Sequence, residues 1–171
     1  MNIIEGTTHT YGDNISTDLI IASRHLTKFL SHEELGKYAL EALDPNFARS
    51  VKEGDILVIG KNFGWGSSRE EAIIALISCG LKMVIAESFS RTFFRNGINR
   101  GGIYLVECPG ITKDIKSGHT IKVNLEDGTI IDKETQKCLN IIPPPSFVQK
   151  IISSGGLLKF IAQDSDVRKR V

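Results

Sequence analysis

The stretch from Gly60 to Glu71, GKNFGWGSSREE, decides how the first half of this chain folds. An apolar run before it, DILVI at 55–59, predicts a buried strand. The apolar residues after it recur at helical spacing and predict a helix over residues 69–79, ended by Gly80. Glycines between the two let the backbone turn sharply and let a ligand approach closely. The stretch therefore predicts a strand, a tight turn and a helix in succession.

The same turn carries groups suited to binding an anion. The first turn of a helix has free backbone N–H groups and a partial positive charge. Arg69 adds a full positive charge and a planar donor fork that matches a carboxylate or a phosphate. Ser67 and Ser68 place two hydroxyls beside it. Together these groups predict an anion site that contains a candidate proton-transfer group.

A purely structural alternative explains part of this pattern. Ser67 with Glu70, and Ser68 with Glu71, each fit the S-x-x-E capping box. In a capping box the serine satisfies the backbone of the helix and needs no further function. Asn62, the third glycine (Gly66) and Arg69 are more than a helix cap requires, so both interpretations stay open at this point.

Length and charge set broad limits on the fold and its partners. At 171 residues the chain predicts one domain, residues 1–162, and a C-terminal tail, residues 163–171. A net charge of +1, from 21 basic and 20 acidic residues, predicts no general affinity for nucleic acid or acidic membranes. No apolar run approaches the roughly 20 residues that span a bilayer, and the N-terminus lacks a signal-peptide layout. We therefore expect a soluble cytoplasmic protein.

The cysteines and histidines show no metal-binding spacing. Cys79, Cys108 and Cys138 fit no zinc or iron–sulfur motif, and the four histidines are scattered. Cys79 ends an apolar helical run and Cys108 ends a strand-like run, which predicts that both are buried small hydrophobic residues. We therefore assign no metal ligand and no cofactor-binding residue to this chain.

Two further regions of the first two-thirds of the chain predict regular structure. A capping box at Ser31 predicts an amphipathic helix over residues 32–43. A strand at 82–86, a helix at 89–97 and a strand at 103–107 then extend the first strand and helix into a βαβαβ rhythm.

The pattern changes after this rhythm. Alternating apolar and polar residues predict a hairpin over 120–131 with its turn at 126–128. A further strand is predicted at 138–142, followed by three prolines and a helix at 147–153 capped by Ser146. The chain is therefore expected to be mixed α/β with a β-rich second half.

Four ordered motifs resemble the swivelling domain of the aconitase superfamily. NFGWGSSRE at 62–70 is similar to its G-S-S-R-E loop, and DNISTD at 13–18 to its N-x-[ST]-T-D segment. ESFSRTFFRN at 87–96 is similar to its S-F-[AS]-R-x-F-x-R-N segment, and SGGLL at 154–158 to its closing G-G-L helix end. Their order and spacing resemble a free-standing small subunit, as in 3-isopropylmalate dehydratases. The resemblance implies a layered β/β/α fold.

The resemblance also implies a hydro-lyase subunit that is active only with a larger partner. In this family the large subunit holds a [4Fe-4S] cluster by three cysteines, and the complex moves a hydroxyl between adjacent carbons of a hydroxy-diacid. The implied reaction interconverts 2-isopropylmalate and 3-isopropylmalate by dehydration and rehydration, a step of leucine biosynthesis. The implied assembly with the large subunit is a heterodimer or a heterotetramer.

Catalytic roles follow from the same resemblance. Ser67 is implied to be the base, acting as an alkoxide, and Ser68 to hydrogen-bond a substrate carboxylate. Arg69 is implied to pair with a carboxylate and to stabilise charge, and Asp18 to orient or balance its neighbours. A serine is a very weak base, so cations and N–H donors must favour its charged form. By local pattern alone, Asp18 also fits a turn or a helix cap.

A specificity segment is implied shortly after Asp18. ASRHLT at 22–27 resembles the R-Y-L-x-T loop that contacts the variable group of the substrate in related small subunits. Substrate contacts are thereby implied for Arg24, His25 and Thr27. Thr27 carries no charge where homoaconitases have an arginine, which disfavours a tricarboxylate. Ordinary loop packing is the alternative for His25 and Thr27.

Two positions depart from the family pattern. Trp65 stands where many relatives have a cysteine, and Glu71 where they have a histidine. With His25, these departures leave room for paralogous small subunits, namely those of 2,3-dimethylmalate dehydratase, citraconate hydratase or homoaconitase. A non-catalytic regulatory module that binds RNA or a protein is a further alternative. The neutral charge argues against RNA, and the retained serines and arginine argue against lost catalysis.

Overall fold

The strands of this chain form one sheet, in a computed structural model that describes residues 3–26 and 31–163. In chain order they are β1 (Ile3–Thr10), β2 (Ile56–Ile59), β3 (Met83–Ala86), β4 (Tyr104–Glu107), β5 (Thr120–Asn124), β6 (Thr129–Asp132) and β7 (Cys138–Asn140). Across the sheet their order is β4-β3-β2-β1-β5-β6-β7. The strands from β1 to β4 pair in parallel, whereas β5 to β7 continue from β1 in antiparallel pairs. The predicted change to a β-rich second half is confirmed.

The helices of the described residues are mostly short. In chain order they are α1 (Thr17–Ile20), α2 (Ser23–Leu26), α3 (His32–Gly36), α4 (Phe47–Ser50), α5 (Glu70–Ser78), α6 (Arg91–Arg100), α7 (Ile111–Asp114), α8 (Ser146–Ser153) and α9 (Leu157–Gln163). In that part of the chain, no helix combines the length and the apolar character needed to cross a membrane. The predicted βαβαβ rhythm corresponds to β2, α5, β3, α6 and β4.

The central strands β2 and β3 are buried on both faces, which produces three layers. In β2, Leu57 and Ile59 belong to a core shared with Ile73 of α5, whereas Ile56 and Val58 belong to a second core. The second core includes apolar residues of β5 and β6, so the antiparallel half curls over the face that the long helices leave open. Each isoleucine or leucine buried in this way contributes about 1.5–3 kcal/mol relative to an exposed side chain. The result is the layered β/β/α fold that the motifs imply.

The helix predicted over residues 32–43 is shorter than expected. Its capping box at Ser31 is present, but α3 ends at Gly36. Leu40 has a φ of 54°, in the left-handed region, so the chain cannot continue as a regular helix there. Its N–H donates to the carbonyl of Ile20 at 2.9 Å. A tertiary hydrogen bond therefore overrides the helical pattern.

The C-terminal helices also differ from the sequence-based expectation. Helix α8 begins at Ser146 itself, and Pro145 occupies the N-cap without a side-chain hydrogen bond. The φ of −50° and ψ of 147° at Pro145 are non-helical, as is usual for an N-cap residue. Helix α9 is not predicted by the pattern and begins after Gly156. Residues 164–171, which make up all but the first residue of the predicted tail, lie outside the described residues.

Strand β1 is not predicted by the sequence pattern. Its residues are mostly polar and half exposed. Its position is set by pairing on both sides, with Thr8 opposite Ile56 of β2 and Gly6 opposite Ile121 of β5. Strand β1 therefore joins the parallel half of the sheet to the antiparallel half.

Replacing Gly6 by alanine is expected to lower the free energy of unfolding by about 2 kcal/mol. A Cβ at Gly6 would lie 2.2 Å from the carbonyl oxygen of Gly54, which is backbone and cannot rotate away. The matched control is Gly12→Ala, because no atom lies within 4 Å of a Cβ at that position. Urea unfolding of the isolated chain measures both variants. Equal midpoints for the two variants would contradict the close approach of β1 to the Gly54 turn.

The last residue of β6, Asp132, has a buried carboxylate that makes stability sensitive to acid. Asp132 accepts hydrogen bonds from His119 Nδ1 at 2.8 Å, from Thr135 Oγ1 at 2.8 Å and from the N–H of Glu134 at 2.9 Å. Burial opposes ionisation, but these hydrogen bonds outweigh it and bring the pKa of Asp132 to about 2. Because this pKa lies below the ordinary 3.8, the carboxylate stabilises the fold above about pH 4.

That stabilisation should be lost as the pH falls from about 4 towards 2. Asp132→Asn is expected to lower stability at neutral pH and to flatten its decline over this acid range. The urea midpoint, measured at several pH values, reports both effects, and Asp127→Asn in the exposed hairpin turn serves as the control. A decline as steep in Asp132→Asn as in the natural chain would disprove the role of Asp132.

Candidate functional site

Two of the predicted motifs lie side by side at one edge of the sheet. Strands β1 and β2 are parallel, so the segments that follow them, residues 13–18 and 60–69, leave the sheet at the same edge. Three backbone hydrogen bonds between them join Asn14 to Lys61, Gly64 to Ile15 and Thr17 to Trp65, each at 2.8 or 2.9 Å. This pairing carries Thr17 and Asp18 to the loop that contains the two serines.

The third motif adds to the same edge after β3. The N–H of Phe63 donates to the carbonyl of Ser88 at 3.0 Å, and the N–H of Ser90 donates back to Phe63 at 2.9 Å. Ser90 also caps α6 by accepting from the N–H of Phe93. The three segments therefore form one continuous hydrogen-bonded edge, and α6 rises from it beside α5.

The glycines of the loop are required by its geometry. Gly64 has a φ of 74° and Gly66 a φ of 106°, both in a region that other residues rarely adopt. A Cβ at Gly64 would lie 2.2 Å from the ring of Phe93. Trp65 between them is 46% exposed, and its Nε1 donates to the carbonyl of Asn14 at 2.9 Å. The indole is thus fixed at the rim of the site.

The serines do not cap helix α5, so the capping-box alternative is wrong. Arg69 occupies the N-cap, without a side-chain hydrogen bond to the helix. Ser67 Oγ instead lies 3.3 Å from Thr17 Oγ1, and Ser68 Oγ accepts from Asn96 Nδ2 at 3.1 Å. Both serines are exposed. Their hydroxyls are therefore accessible to a ligand beside the N-terminus of a nine-residue helix.

Asp18 and Arg69 form an ion pair next to the serines. Arg69 Nη1 contacts Asp18 Oδ1, and the side chain of Asp18 is 59% exposed whereas that of Arg69 is only 22% exposed. Ser16, and not Asp18, is the N-cap of α1. The pair holds the guanidinium in place while only one of its nitrogens contacts Asp18. The structure thus brings together four residues of the predicted site: Ser67, Ser68, Arg69 and Asp18.

The predicted specificity residues converge on Glu41. His25 is buried, stacks on Tyr38 with ring centroids 3.9 Å apart, and places Nε2 2.7 Å from Glu41 Oε2. Arg24 donates to the same oxygen at 3.0 Å. The hydrogen bond from His25 lowers the pKa of Glu41 from its ordinary value, with a smaller contribution from Arg24. Thr27 lies outside the described residues, and substrate contacts for Arg24, His25 and Thr27 stay predictions.

An open cleft of about 620 Å³ extends away from Ser68 between α6 and α9. Asn96 and Arg100 of α6 line one side and Leu158 lines another. Arg100 Nε lies 3.5 Å from Glu70 Oε1 in the first turn of α5. Thr17, Asn96 and Arg100 are parts of the site that the sequence did not predict. The first two lie within the quoted motifs, which is the signal that could have identified them.

The cysteines of this chain do not fit an iron–sulfur site. Cys79 packs against the core that Leu57 and Ile59 of β2 share with Ile73 of α5, here called the helix-side core. Cys108 belongs to the second core, so the sheet separates the two cysteines. Burial raises the pKa of Cys79 to about 12, which disfavours the thiolate that a cluster requires. Cys138 is exposed on β7. Among groups of three or more histidine, cysteine, aspartate and glutamate side chains in residues 3–26 and 31–163, only His119, Asp132 and Glu134 are close enough to share an ion. Asp132 is already saturated with hydrogen bonds.

Residues 9–107, which contain three of the motifs, match the family model of the aconitase C-terminal domain. This chain belongs to that family. The match includes Asp18 and the whole Ser67–Arg69 loop, and it ends with β4. The aconitase C-terminal domain therefore accounts for β2, β3 and β4 and for the edge at which the site is built.

Proteins similar over nearly their whole length extend this result. The 3-isopropylmalate dehydratase small subunit 1 of Methanopyrus kandleri is 44% identical over 163 residues, which cover 95% of each chain. The isopropylmalate/citramalate isomerase small subunit of Methanocaldococcus jannaschii is 42% identical, over 94% of each chain. The crystal structure of a 3-isopropylmalate dehydratase from the same organism matches with a TM-score of 0.88 at 37% identity, over 98% of each chain. The family and fold implied by the motifs are confirmed.

Asp18→Asn is expected to change the free energy of unfolding by less than about 1 kcal/mol, because the Asp18 side chain is more than half exposed. The same variant should lower the activity of the complex with a large subunit by about 10- to 100-fold, because Arg69 loses the group that orients it. Glu5→Gln breaks the exposed Glu5–Lys133 ion pair on β1 and is the matched control. We expect it to alter neither property. Equal activities for the two variants would rule out an orienting role for Asp18.

Proposed function

We propose that this chain is the small subunit of a heteromeric hydro-lyase that interconverts 2-isopropylmalate and 3-isopropylmalate. The observation that carries the proposal is that Ser67 and Ser68 leave the N-cap of α5 to Arg69 and stay exposed beside the Arg69–Asp18 ion pair. The names of the similar proteins from Methanopyrus kandleri and Methanocaldococcus jannaschii support the substrate class.

Ser67 is proposed to act as the base. It takes a proton from the carbon next to a substrate carboxylate, so the C–H bond breaks and an O–H bond forms on Ser67. The electron pair left on carbon forms the double bond as the hydroxyl leaves the adjacent carbon with its own bonding pair. A serine can do this only where positive groups favour its ionised form. The N-terminus of α5 and the guanidinium of Arg69 supply such groups.

Ser68 and Arg69 are proposed to hold the substrate carboxylates. A guanidinium has five N–H donors in a planar fork, and one nitrogen of Arg69 is committed to Asp18. The other donors suit a second carboxylate, and the Ser68 hydroxyl adds a neutral donor beside them. This arrangement orients a diacid so that the carbon that loses its proton faces Ser67.

A large subunit is the proposed partner, in a heterodimer or a heterotetramer. The exposed serines and Arg69 offer a base and hydrogen-bond donors for the substrate carboxylates. The cysteines of this chain do not fit a cluster, so its residues do not supply a Lewis acid of that kind. A [4Fe-4S] cluster held by the large subunit would supply the Lewis-acid assistance to the leaving hydroxyl. The proposed place of the reaction is leucine biosynthesis in the cytoplasm.

The substrate preference is tested with the reconstituted complex. This chain is mixed under anaerobic conditions with the cluster-loaded large subunit of its source organism. Isopropylmalate, citramalate, dimethylmalate, citraconate and homocitrate are then compared. We expect the highest kcat/KM with isopropylmalate, because the names of the relatives include this substrate and do not include dimethylmalate, citraconate or homocitrate. No turnover with isopropylmalate, in a formed complex with an intact cluster, would refute the proposal.

Two substitutions test the roles assigned to the loop. Ser67→Ala should lower kcat by about 1,000-fold, because it removes the base. Arg69→Lys should lower kcat/KM by about 100-fold, because an ammonium cannot pair with a carboxylate through a planar fork. Ser153→Ala, an exposed serine at the end of α8, is the control and should keep full activity. Steady-state rates of the reconstituted complex decide the matter, and full activity of Ser67→Ala would exclude Ser67 as the base.

A further inference from the structure

We propose that Thr17 and Asn96 are positioning residues that set the hydrogen-bonding state of the two serines, Thr17 for Ser67 and Asn96 for Ser68. The inference rests on the proposed function, because it explains contacts of Ser67 as the base and of Ser68 as the hydroxyl that donates to a substrate carboxylate. Each serine touches one residue from a different motif segment. The three segments that meet at this edge therefore each contribute to the chemistry of the loop.

Thr17 is held rigidly against Ser67. Its side chain is buried, with 1% of the residue exposed, and its N–H donates to the carbonyl of Trp65 at 2.9 Å. Its own carbonyl accepts from the N–H of Ile21 at 3.0 Å, which closes α1. A Cβ at Gly66 would lie 3.2 Å from Thr17 Oγ1, so a glycine there leaves room for the hydroxyl. The buried hydroxyl is thereby directed at the exposed one.

The contact between Thr17 and Ser67 changes character when Ser67 loses its proton. Two neutral hydroxyls 3.3 Å apart can be bonded in either direction. An ionised Ser67 has no proton to give, so Thr17 must donate. Hydrogen bonds to a charged oxygen are shorter and about twice as strong as those between neutral groups. Thr17 therefore stabilises the ionised serine more than the neutral one, which is the difference that favours catalysis.

Asn96 acts on Ser68 in the complementary way. Its Nδ2–H donates to Ser68 Oγ at 3.1 Å and so occupies an acceptor position of that oxygen. The hydroxyl proton of Ser68 is then left free for another acceptor in the cleft that both residues line. A substrate carboxylate oxygen is such an acceptor. Asn96 thus keeps Ser68 in the role of donor.

The test uses the complete complex with the large subunit and isopropylmalate. Thr17→Val keeps the shape of the buried side chain and removes only the donor, whereas Thr17→Ser keeps the donor. We expect Thr17→Val to lower kcat by about 100-fold with KM little changed, and Thr17→Ser to restore most of the rate. Equal losses in the two variants would mean that the methyl group matters, and would overturn the assignment.

Asn96 is tested by shape-preserving changes. Asn96→Leu removes the N–H donor. Asn96→Asp replaces it with a carboxylate oxygen that accepts a hydrogen bond from the Ser68 hydroxyl. Both should raise KM by about 10-fold and leave kcat nearly unchanged, the reverse of the effect at Thr17. Wild-type kinetics of Asn96→Asp would show that Asn96 does not act as a donor.

Two controls separate this inference from the proposed function and from mere packing. If Ser67→Ala abolishes the reaction while Thr17→Val and Asn96→Leu behave like the natural chain, the inference fails and the proposed function stands. If Ser67→Ala is fully active, the proposed function fails first. Thermal unfolding of each variant chain completes the test. Parallel losses of stability, kcat and affinity in Thr17→Val and Asn96→Leu would indicate a structural role and overturn the proposal.

Discussion

The parallel pairing of β1 with β2 is the constraint on which the site depends. His9 lies opposite Leu57 and Thr10 opposite Val58, so the two strands end together and the chain segments beyond them run side by side. The hydrogen bond from Thr17 to the carbonyl of Trp65 extends this register past the sheet. A slip of one residue would reverse every side chain of β1 and carry the Thr17–Asp18 segment out of register with the serine loop. The two contacts that organise the loop, Thr17 with Ser67 and Asp18 with Arg69, are consequences of that register.

The strands and helices of the parallel half can be predicted from the sequence because the apolar patterns that specify them are local and strong. Strands such as β2 and β3 are buried on both faces, so they appear as unbroken apolar runs between glycine turns and helical patterns. Strand β1 has no such pattern, since it is half exposed and is held by hydrogen bonds to strands distant in the chain. The end of α3 is hidden for the same reason, because Leu40 turns the chain to reach Ile20. Elements set by long-range backbone pairing are not recoverable from periodicity.

The candidate site divides in a similar way. The motifs identify Ser67, Ser68, Arg69 and Asp18, and the structure places them together. The spacing S-x-x-E equally fits a capped helix, and the sequence alone does not decide between the two. The decision comes from where α5 begins. With Arg69 at the N-cap, the third helical residue is Ala72, so neither serine occupies the N-cap and neither Glu70 nor Glu71 occupies the third helical position that a capping box needs. The contacts of Thr17 and Asn96 with the serines cannot be predicted from local sequence patterns, because the partners are 50 and 28 residues away in the chain.

The uncapped start of α5 lowers the stability of the helix, and burial elsewhere in the helix offsets this loss. Leaving an N-cap without its side-chain hydrogen bond typically costs about 1 kcal/mol. Helix α5 tolerates this because five successive residues, from Ala72 to Leu76, are buried in the helix-side core. In return, the serine hydroxyls remain exposed and the positive end of the helix is left for a ligand. A serine that capped the helix would have its oxygen turned towards the backbone and could not serve as a base. The feature that breaks the local rule for helix starts is thus the feature that makes the loop chemically useful.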